Sequence, residues 1–281
     1  MVIKILNKIG RVRTKMLILF FITSSLLCYS QEYPEFLEYK KMGYSIAPVT
    51  TRPAQFNPTI GDIKVTGSWT PSLSFGLNWT AHADREVSFR YGLHFNILPI
   101  YDFKYELPDG DLPNSTNFFS NDRNWGPLYI SVPLQVELKK QLGPRLYASA
   151  MGGVNIAWIP EGSVEVGASV LVEELNEVRE FFELRSQTRE FPLYPNLRLS
   201  LGLYFMWDKL LLQTNVVYQK SIPNYFTGEY LFDNLEISDR TEGTYSYRGD
   251  YIGLEFVFFL KKRKQRKTKK KEKTLKNVYI N

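Results

Sequence analysis

The strongest constraint on this sequence is an alternation of apolar and polar residues, with a period of two, sustained over long segments. From Leu128 to Leu138 every even position is Leu, Ile or Val, whereas the odd positions are mostly polar. Successive side chains of a strand point to opposite faces, so the pattern predicts strands with one apolar and one polar face. Eight segments follow it: 42–47, 69–79, 87–105, 128–139, 145–158, 197–207, 212–219 and 252–258.

The connections between these segments alternate in length. Short connections at 81–85, 141–144 and 208–209 alternate with long ones near 50–67, 106–126, 160–192 and 221–244. Up-and-down barrels of bacterial outer membranes have short periplasmic turns and long outside loops, so we expect both termini in the periplasm. In the long connection 160–192, apolar residues recur at helical spacing between Leu171 and Phe182. Either a short amphipathic helix or an extension of the neighbouring strands fits this connection.

The apolar face of the predicted strands is expected to contact lipid. A soluble barrel alternates in the same way but keeps its apolar face inside, whereas here the polar face consists mainly of small uncharged residues that suit a crowded lumen. About ten residues at about 3.3 Å each, tilted by about 45°, span about 24 Å, the height of a transmembrane apolar band. We predict an all-β fold, an eight-stranded antiparallel up-and-down transmembrane β-barrel over residues 41–260. Its predicted aromatic girdle comprises Trp69, Trp79, Tyr101, Trp158, Trp207 and Tyr218.

The two ends of the chain differ in composition from the barrel segment. Residues 1–30 combine a basic start, an apolar run from Met16 to Cys28 and a small residue, Ser30, which together predict a signal peptide removed before Gln31. The apolar run is shorter than the about 20 residues of a spanning helix. Residues 31–40 are expected to form an N-terminal periplasmic linker, and residues 261–281 a disordered basic periplasmic tail.

The net charge of +6 conceals three unlike segments. Residues 1–30 carry five Lys/Arg and no acid, and residues 261–281 carry eleven Lys/Arg and one acid. Of 35 basic and 29 acidic residues, 19 and 28 therefore remain for residues 31–260, a net charge of −9. The basic balance comes from the ends, so we expect no nucleic-acid partner. The expected partners are outer-membrane lipid and, through the tail, peptidoglycan or a periplasmic protein; a solvated tail without a fixed partner fits equally well.

Charged residues on the polar face of the strands predict a charge network in the lumen. Opposite charges confined in a narrow bore should pair, because an unpaired buried charge is costly. A path for protons or ions is the alternative interpretation, and we favour a structural network that fills the bore. Its predicted members are Arg90, Asp102, Lys104, Glu137, Arg198 and Glu255.

The sequence offers little for catalysis or metal binding. It contains one cysteine, Cys28 in the predicted signal, and two histidines. Barrel enzymes that use a histidine base place it at the outer rim, whereas His82 lies in a predicted periplasmic turn and His94 at mid-strand facing the lumen. We predict no catalytic, cofactor-binding or metal-ligating residues, no cofactor and no enzymatic activity; a lipid-modifying barrel enzyme is the less favoured alternative.

The segment from Leu128 to Trp158 resembles the small outer-membrane barrels of Bacteroidota of the PorT-like type. The resemblance rests on an aromatic-x-x-x-Pro-Leu strand, a short turn and a strand with a Gly-rich stretch, and it extends loosely over 41–260. The basic tail departs from that family, whose chains end at the last strand. From the barrel pattern we expect a structural or interaction role through extracellular loops and the basic tail. The resemblance implies the alternative, a component of a secretion or surface-assembly machine of type IX. The matching residues are Tyr129, Pro133, Leu134, Gly143, Tyr147, Gly152 and Gly153.

Overall fold

The computed structural model describes residues 31–97, 103–108, 110–112, 118–120, 128–172 and 177–262. This part of the chain contains one short 3-10 helix, Pro34–Glu38, and sixteen strands. No helix in the described ranges is long and apolar enough to span a membrane. The strands are β1 Tyr39–Thr51, β2 Gln55–Ile60, β3 Lys64–Gly67, β4 Thr70–Ala81, β5 Val87–Ile97, β6 Phe103–Glu106, β7 Phe118–Ser120, β8 Leu128–Gly143, β9 Leu146–Trp158, β10 Ser163–Val172, β11 Glu177–Thr188, β12 Leu193–Met206, β13 Leu210–Ser221, β14 Phe226–Phe232, β15 Thr241–Tyr247 and β16 Tyr251–Lys261.

Eight long strands close into an antiparallel barrel with the order β1-β16-β13-β12-β9-β8-β5-β4. The seam is made by the first and last strands, which pair from Tyr39 with Lys261 to Thr51 with Tyr251. Each of the eight predicted segments supplies one of these strands, so the predicted fold class is confirmed. We call this ring the lower barrel. Three short turns join its strands at one end, and four long connections join them at the other.

The predicted segment 87–105 does not form one strand. Strand β5 ends at Ile97, and Phe103 and Tyr105 belong to β6, which pairs with β3. Both side chains are partly buried against an apolar cluster above the lower barrel rather than facing lipid. The alternation continues in sequence across two structurally separate strands, because each of them has one apolar face.

The long connections are not loose loops, because they build a second storey on the lower barrel. Six of their strands form a sheet with the order β2-β15-β14-β11-β10-β7, and β3 pairs with β6. This order repeats that of the lower-barrel strands from which they continue, β1-β16-β13-β12-β9-β8. We call these eight strands the upper storey. In the connection 160–192, the described residues therefore extend the neighbouring strands as the hairpin of β10 and β11 rather than forming a helix.

The two storeys have opposite polarity. In the lower barrel large apolar side chains face outward, with Leu134 45% and Leu201 67% exposed, whereas Gln135 faces the lumen and is 4% exposed. In the upper storey Phe182 and Leu184 are buried inside, and the next residue, Arg185, is exposed on the outer face. An apolar exterior is stable in hydrocarbon and a polar exterior is stable in water. The inversion therefore marks the height at which the wall leaves the membrane.

Most of the predicted girdle residues lie near the two edges of the apolar belt. Trp69, Trp158 and Tyr218 lie toward the upper edge and are exposed. Trp207 lies at the lower edge and is exposed, whereas Trp79 lies two residues before the lower end of β4 and stacks on Tyr91 with ring centroids 6.0 Å apart. Ten residues separate Trp69 from Trp79, which corresponds to about 23 Å along the membrane normal for a strand tilted by about 45°. Tyr101 lies outside the described residues.

We expect Leu134→Arg to lower the unfolding free energy in lipid vesicles by about 2–4 kcal/mol, because Leu134 lies near the middle of the apolar belt. Thr227→Arg is the matched control, since Thr227 is outward-facing and exposed on the upper storey. It should change stability by less than about 0.5 kcal/mol. Urea unfolding of the refolded proteins measures both, and equal destabilisation by the two variants would contradict the assigned membrane boundary.

Candidate functional site: the filled lumen

The first of two charged layers in the lumen is centred on Glu137 of β8. Its Oε1 atom lies 3.5 Å from Nη2 of Arg90 on β5 and accepts a hydrogen bond of 2.7 Å from the hydroxyl of Tyr204 on β12. Ser88 donates to Oε2 at 2.9 Å, and Gln213 on β13 donates to Oε1 at 3.1 Å. Side chains from three other strands, on opposite sides of the bore, therefore converge on one carboxylate.

The second layer is centred on Arg198 of β12. Its Nη2 donates to Oε1 of Glu255 on β16 at 2.8 Å, and its Nη1 donates to the hydroxyl of Tyr251 at 3.0 Å. Asn215 donates to the other oxygen of Glu255 at 3.1 Å. His94 lies beside this pair, with its Nδ1 3.5 Å from Nη1 of Arg198. The two ion pairs are almost completely buried, at 3% exposure or less for each side chain.

The structure thus brings four of the six predicted lumen residues together as two ion pairs. Lys104 is not among them: it is exposed on β6 in the upper storey, opposite Thr66 of β3. Its placement in the lumen was wrong because β5 ends at Ile97, so the polar phase of the lower barrel does not reach residue 104. Asp102 lies outside the described residues.

An aromatic cluster closes the lower end of the lumen, where the short turns lie. Residues 31–38, expected to be part of a linker, enter the barrel mouth, where Phe36 is 4% exposed. The Phe36 ring lies edge-on to Tyr147 and Tyr204, with centroids 5.0 and 5.1 Å away. Nζ of Lys139 lies 4.5 Å from the centre of the same ring. We call this segment the N-terminal plug; its sequence signal is the aromatic spacing of Tyr33, Phe36 and Tyr39.

A second aromatic cluster closes the upper end. Tyr225 lies between Tyr129 and Tyr194, with ring centroids 5.9 and 5.0 Å away, and its hydroxyl donates to Asn196 at 2.9 Å. Above it, Phe182 and Phe232 pack with centroids 4.7 Å apart. This cluster joins the tops of the lower-barrel strands to the apolar interior of the upper storey. The bore is therefore closed by aromatic side chains at both ends and by charged layers between them.

The outer face of the upper storey is polar and exposed. Nε of Arg185 lies 2.7 Å from Glu165 and also contacts Glu183. Burial and the hydrogen bond with Glu165 raise the pKa of Glu183. The same hydrogen bond, together with Arg185, lowers the pKa of Glu165. A groove of about 600 Å³ crosses this face between β10 and β15 and includes Thr227 and Glu229. This is the surface that the protein offers to water.

The two histidines occupy the positions expected from the sequence. His94 is buried in the lumen, where its Nε2 lies 3.1 Å from Oδ1 of Asn78. His82 lies in the turn between β4 and β5 with a positive φ of 53°. Within the described ranges, no group of three or more His, Cys, Asp or Glu side chains is arranged to hold a metal ion.

The closed lower barrel, its apolar exterior and its polar, filled lumen define a transmembrane β-barrel. Bacterial barrels of this construction, with short turns at one end and long connections at the other, are of the outer-membrane type. No protein-family model matches the sequence, and no curated protein matches it significantly.

Three solved structures show what the chain is similar to. The alignment with the outer membrane protein OprG from Pseudomonas aeruginosa has 12% identity and a TM-score of 0.37, and it covers 79% of this chain and 98% of OprG. The alignment with a major outer membrane protein from Thermus thermophilus has 10% identity and a TM-score of 0.35, and it covers 79% of this chain and 100% of that protein. The alignment with the outer membrane protease OmpT from Escherichia coli has 10% identity and a TM-score of 0.31, and it covers 79% of this chain and 96% of OmpT.

We expect Glu137→Leu to destabilise the barrel by about 3–5 kcal/mol, because it leaves the buried guanidinium of Arg90 without a carboxylate. The double variant Arg90→Leu/Glu137→Leu should be more stable than the single variant, since it removes both buried charges. Urea unfolding in vesicles, with Arg90→Leu as the fourth corner of the cycle, gives the coupling free energy. Simple additivity of the two single substitutions would show that the pair is not coupled.

Proposed function

We propose that this protein resides in the bacterial outer membrane as a closed barrel that presents its upper storey outside the cell as an interaction surface. The observation that carries the proposal is the contrast between a bore filled along its length and a polar sheet built from all four long connections. A solute pathway needs a continuous bore, whereas this one contains two buried ion pairs and two aromatic clusters. Anchoring in lipid alone does not require a wall that extends above the membrane into water.

The proposed role is binding rather than catalysis. Histidine-based general-base chemistry at the outer rim needs a histidine there, and both histidines lie below the upper storey, His82 in a turn and His94 in the lumen. The outer face offers carboxylates, guanidinium groups, hydroxyls and amides on a rigid sheet, which suits a polar partner surface. The tail after Lys262 lies outside the described residues, and its basic composition supports a contact with peptidoglycan or a periplasmic protein.

A second candidate is a component of a secretion or surface-assembly machine. The resemblance to PorT-like barrels between Tyr129 and Gly153 favours it, and a wall that rises above the membrane offers a docking surface for other subunits. Mild crosslinking in intact cells followed by purification separates the two roles. A machine component brings stable protein partners at fixed stoichiometry, whereas a solitary interaction barrel does not.

We expect the purified protein to give no stable ionic conductance in planar lipid bilayers, because Arg90, Glu137, Arg198 and Glu255 fill the bore. Deletion of residues 31–38 should not open a stable channel either, since both charged layers remain above the N-terminal plug. Discrete single-channel steps from the wild-type protein would contradict the closed-lumen proposal.

Sidedness is tested with single cysteines at Ser169, Asn234 and Thr274. Ser169 and Asn234 belong to long connections and should react with an impermeant maleimide on intact cells. Thr274, in the predicted periplasmic tail, should react only after the outer membrane is permeabilised. The wild-type chain is the unlabelled control, because its sole cysteine, Cys28, lies in the predicted signal. Labelling of the cysteine at position 274 on intact cells would show that the topology is the reverse of the proposed one.

A further inference from the structure

An apolar groove of about 520 Å³ crosses the lipid-facing surface of the lower barrel along β9. Its floor is formed by Ala150 and Gly152, whose small side chains leave the wall of the barrel low at this strand. In the register of the sheet, Ala150 lies between Leu138 of β8 and Leu201 of β12. Gly152 lies in the same way between Val136 and Leu199. Two ridges of branched side chains therefore enclose one strand of small residues.

The dimensions of the groove select its occupant. The two ridges stand on strands that flank β9, so their backbones are only about 10 Å apart and the space between their side chains is narrower. A helix with its side chains is about 10–12 Å wide and does not fit. A second copy related by a twofold axis would present the same concave surface and leave a void. A single lipid acyl chain is narrow enough to lie between the two ridges.

A cation lies at the lower end of the groove. Lys140 occupies the next outward position below Leu138 on β8, pairs with Ala148 of β9 and is exposed. This end of the barrel carries the short turns, so in the proposed orientation the groove lies in the half of the belt nearer the periplasm. A lysine at such a depth extends its ammonium group toward the polar headgroups. The positive charge of Lys140 complements the phosphate of a lipid that lies in the leaflet at this end of the barrel and whose chain enters the groove.

We propose that this groove binds one acyl chain of a periplasmic-leaflet phospholipid whose phosphate contacts Lys140. The proposal rests on the proposed membrane location and orientation of the barrel. The lipid would fill the trough along β9 and restore an even apolar surface between β8 and β12. The chemistry that recognises it is one hydrocarbon chain combined with one phosphate.

The test is native mass spectrometry of the detergent-purified protein mixed with dioleoyl phosphatidylglycerol. The wild-type protein should retain one lipid at low collision energy. Ala150→Leu fills the groove and should abolish retention, and Lys140→Gln should weaken it about tenfold because a charge-assisted contact is lost. Thr214→Leu, at an outward-facing position on β13 outside the groove, is the matched control and should retain the lipid as the wild type does.

Each variant is first checked for a shift in gel migration on boiling, which reports a folded barrel independently of lipid. The absence of such a shift in the wild-type chain would overturn the proposed membrane barrel itself rather than the lipid site. Equal lipid retention by Ala150→Leu and the wild type, with both folded, overturns the proposed groove. So does a wild-type dimer that Ala150→Leu converts to monomers, because the occupant would then be a second copy. Equal loss in Thr214→Leu would show that retention does not depend on this groove.

Discussion

The hydrogen bonds between β1 and β16 are the interaction on which the rest of the structure depends. Within hydrocarbon, an unpaired backbone amide or carbonyl costs several kcal/mol, so a sheet with open edges is not stable there. The pairing of Tyr44 with Phe258 and of Thr50 with Ile252 removes both edges of the lower barrel at once. The barrel that closes here has eight strands, and the bore of an eight-stranded barrel is narrow enough for side chains to fill it.

A filled bore determines what the interior can contain. Apolar side chains are required on the outside of the lower barrel, so the inward phase carries the polar residues, and these must satisfy each other. Glu137 and Glu255 do so by accepting hydrogen bonds from several strands as well as from their arginines. Above the membrane the requirement reverses, and the same wall turns its apolar side chains inward. The protein therefore uses one continuous sheet order for two solvents.

The sequence predicted the lower barrel well because lipid outside and a crowded lumen inside impose a strict period of two. For the upper storey it offered only an extension of the strands beside 160–192, as one of two alternatives, since the period alone does not reveal which face is outside. Val164, Val166 and Ala168 alternate with polar residues as a lipid-facing strand does, yet they face inward. Lys104 was wrongly assigned to the lumen because the alternation continues in sequence past Ile97 and does not reveal where β5 ends.

The partners within the lumen were beyond sequence analysis because they depend on the stagger of the closed barrel. Arg198 meets Glu255 across β13, a contact set by the register of three strands rather than by spacing along the chain. The N-terminal plug was missed because eight residues without alternation resemble a linker. Their aromatic side chains gain burial only once the barrel mouth exists to receive them.

The seam between the first and last strands also has a consequence for the time course of folding. Strand β1 has no partner on one side until β16 arrives, and Tyr39 pairs with Lys261, close to the other end of the described chain. Contacts between residues so distant in sequence form slowly, because the loop between them must close first. Until then the chain exposes apolar strand faces and two free edges. A chaperone that protects it in transit would therefore have to hold almost the whole barrel segment, and hold it until the final strand is delivered.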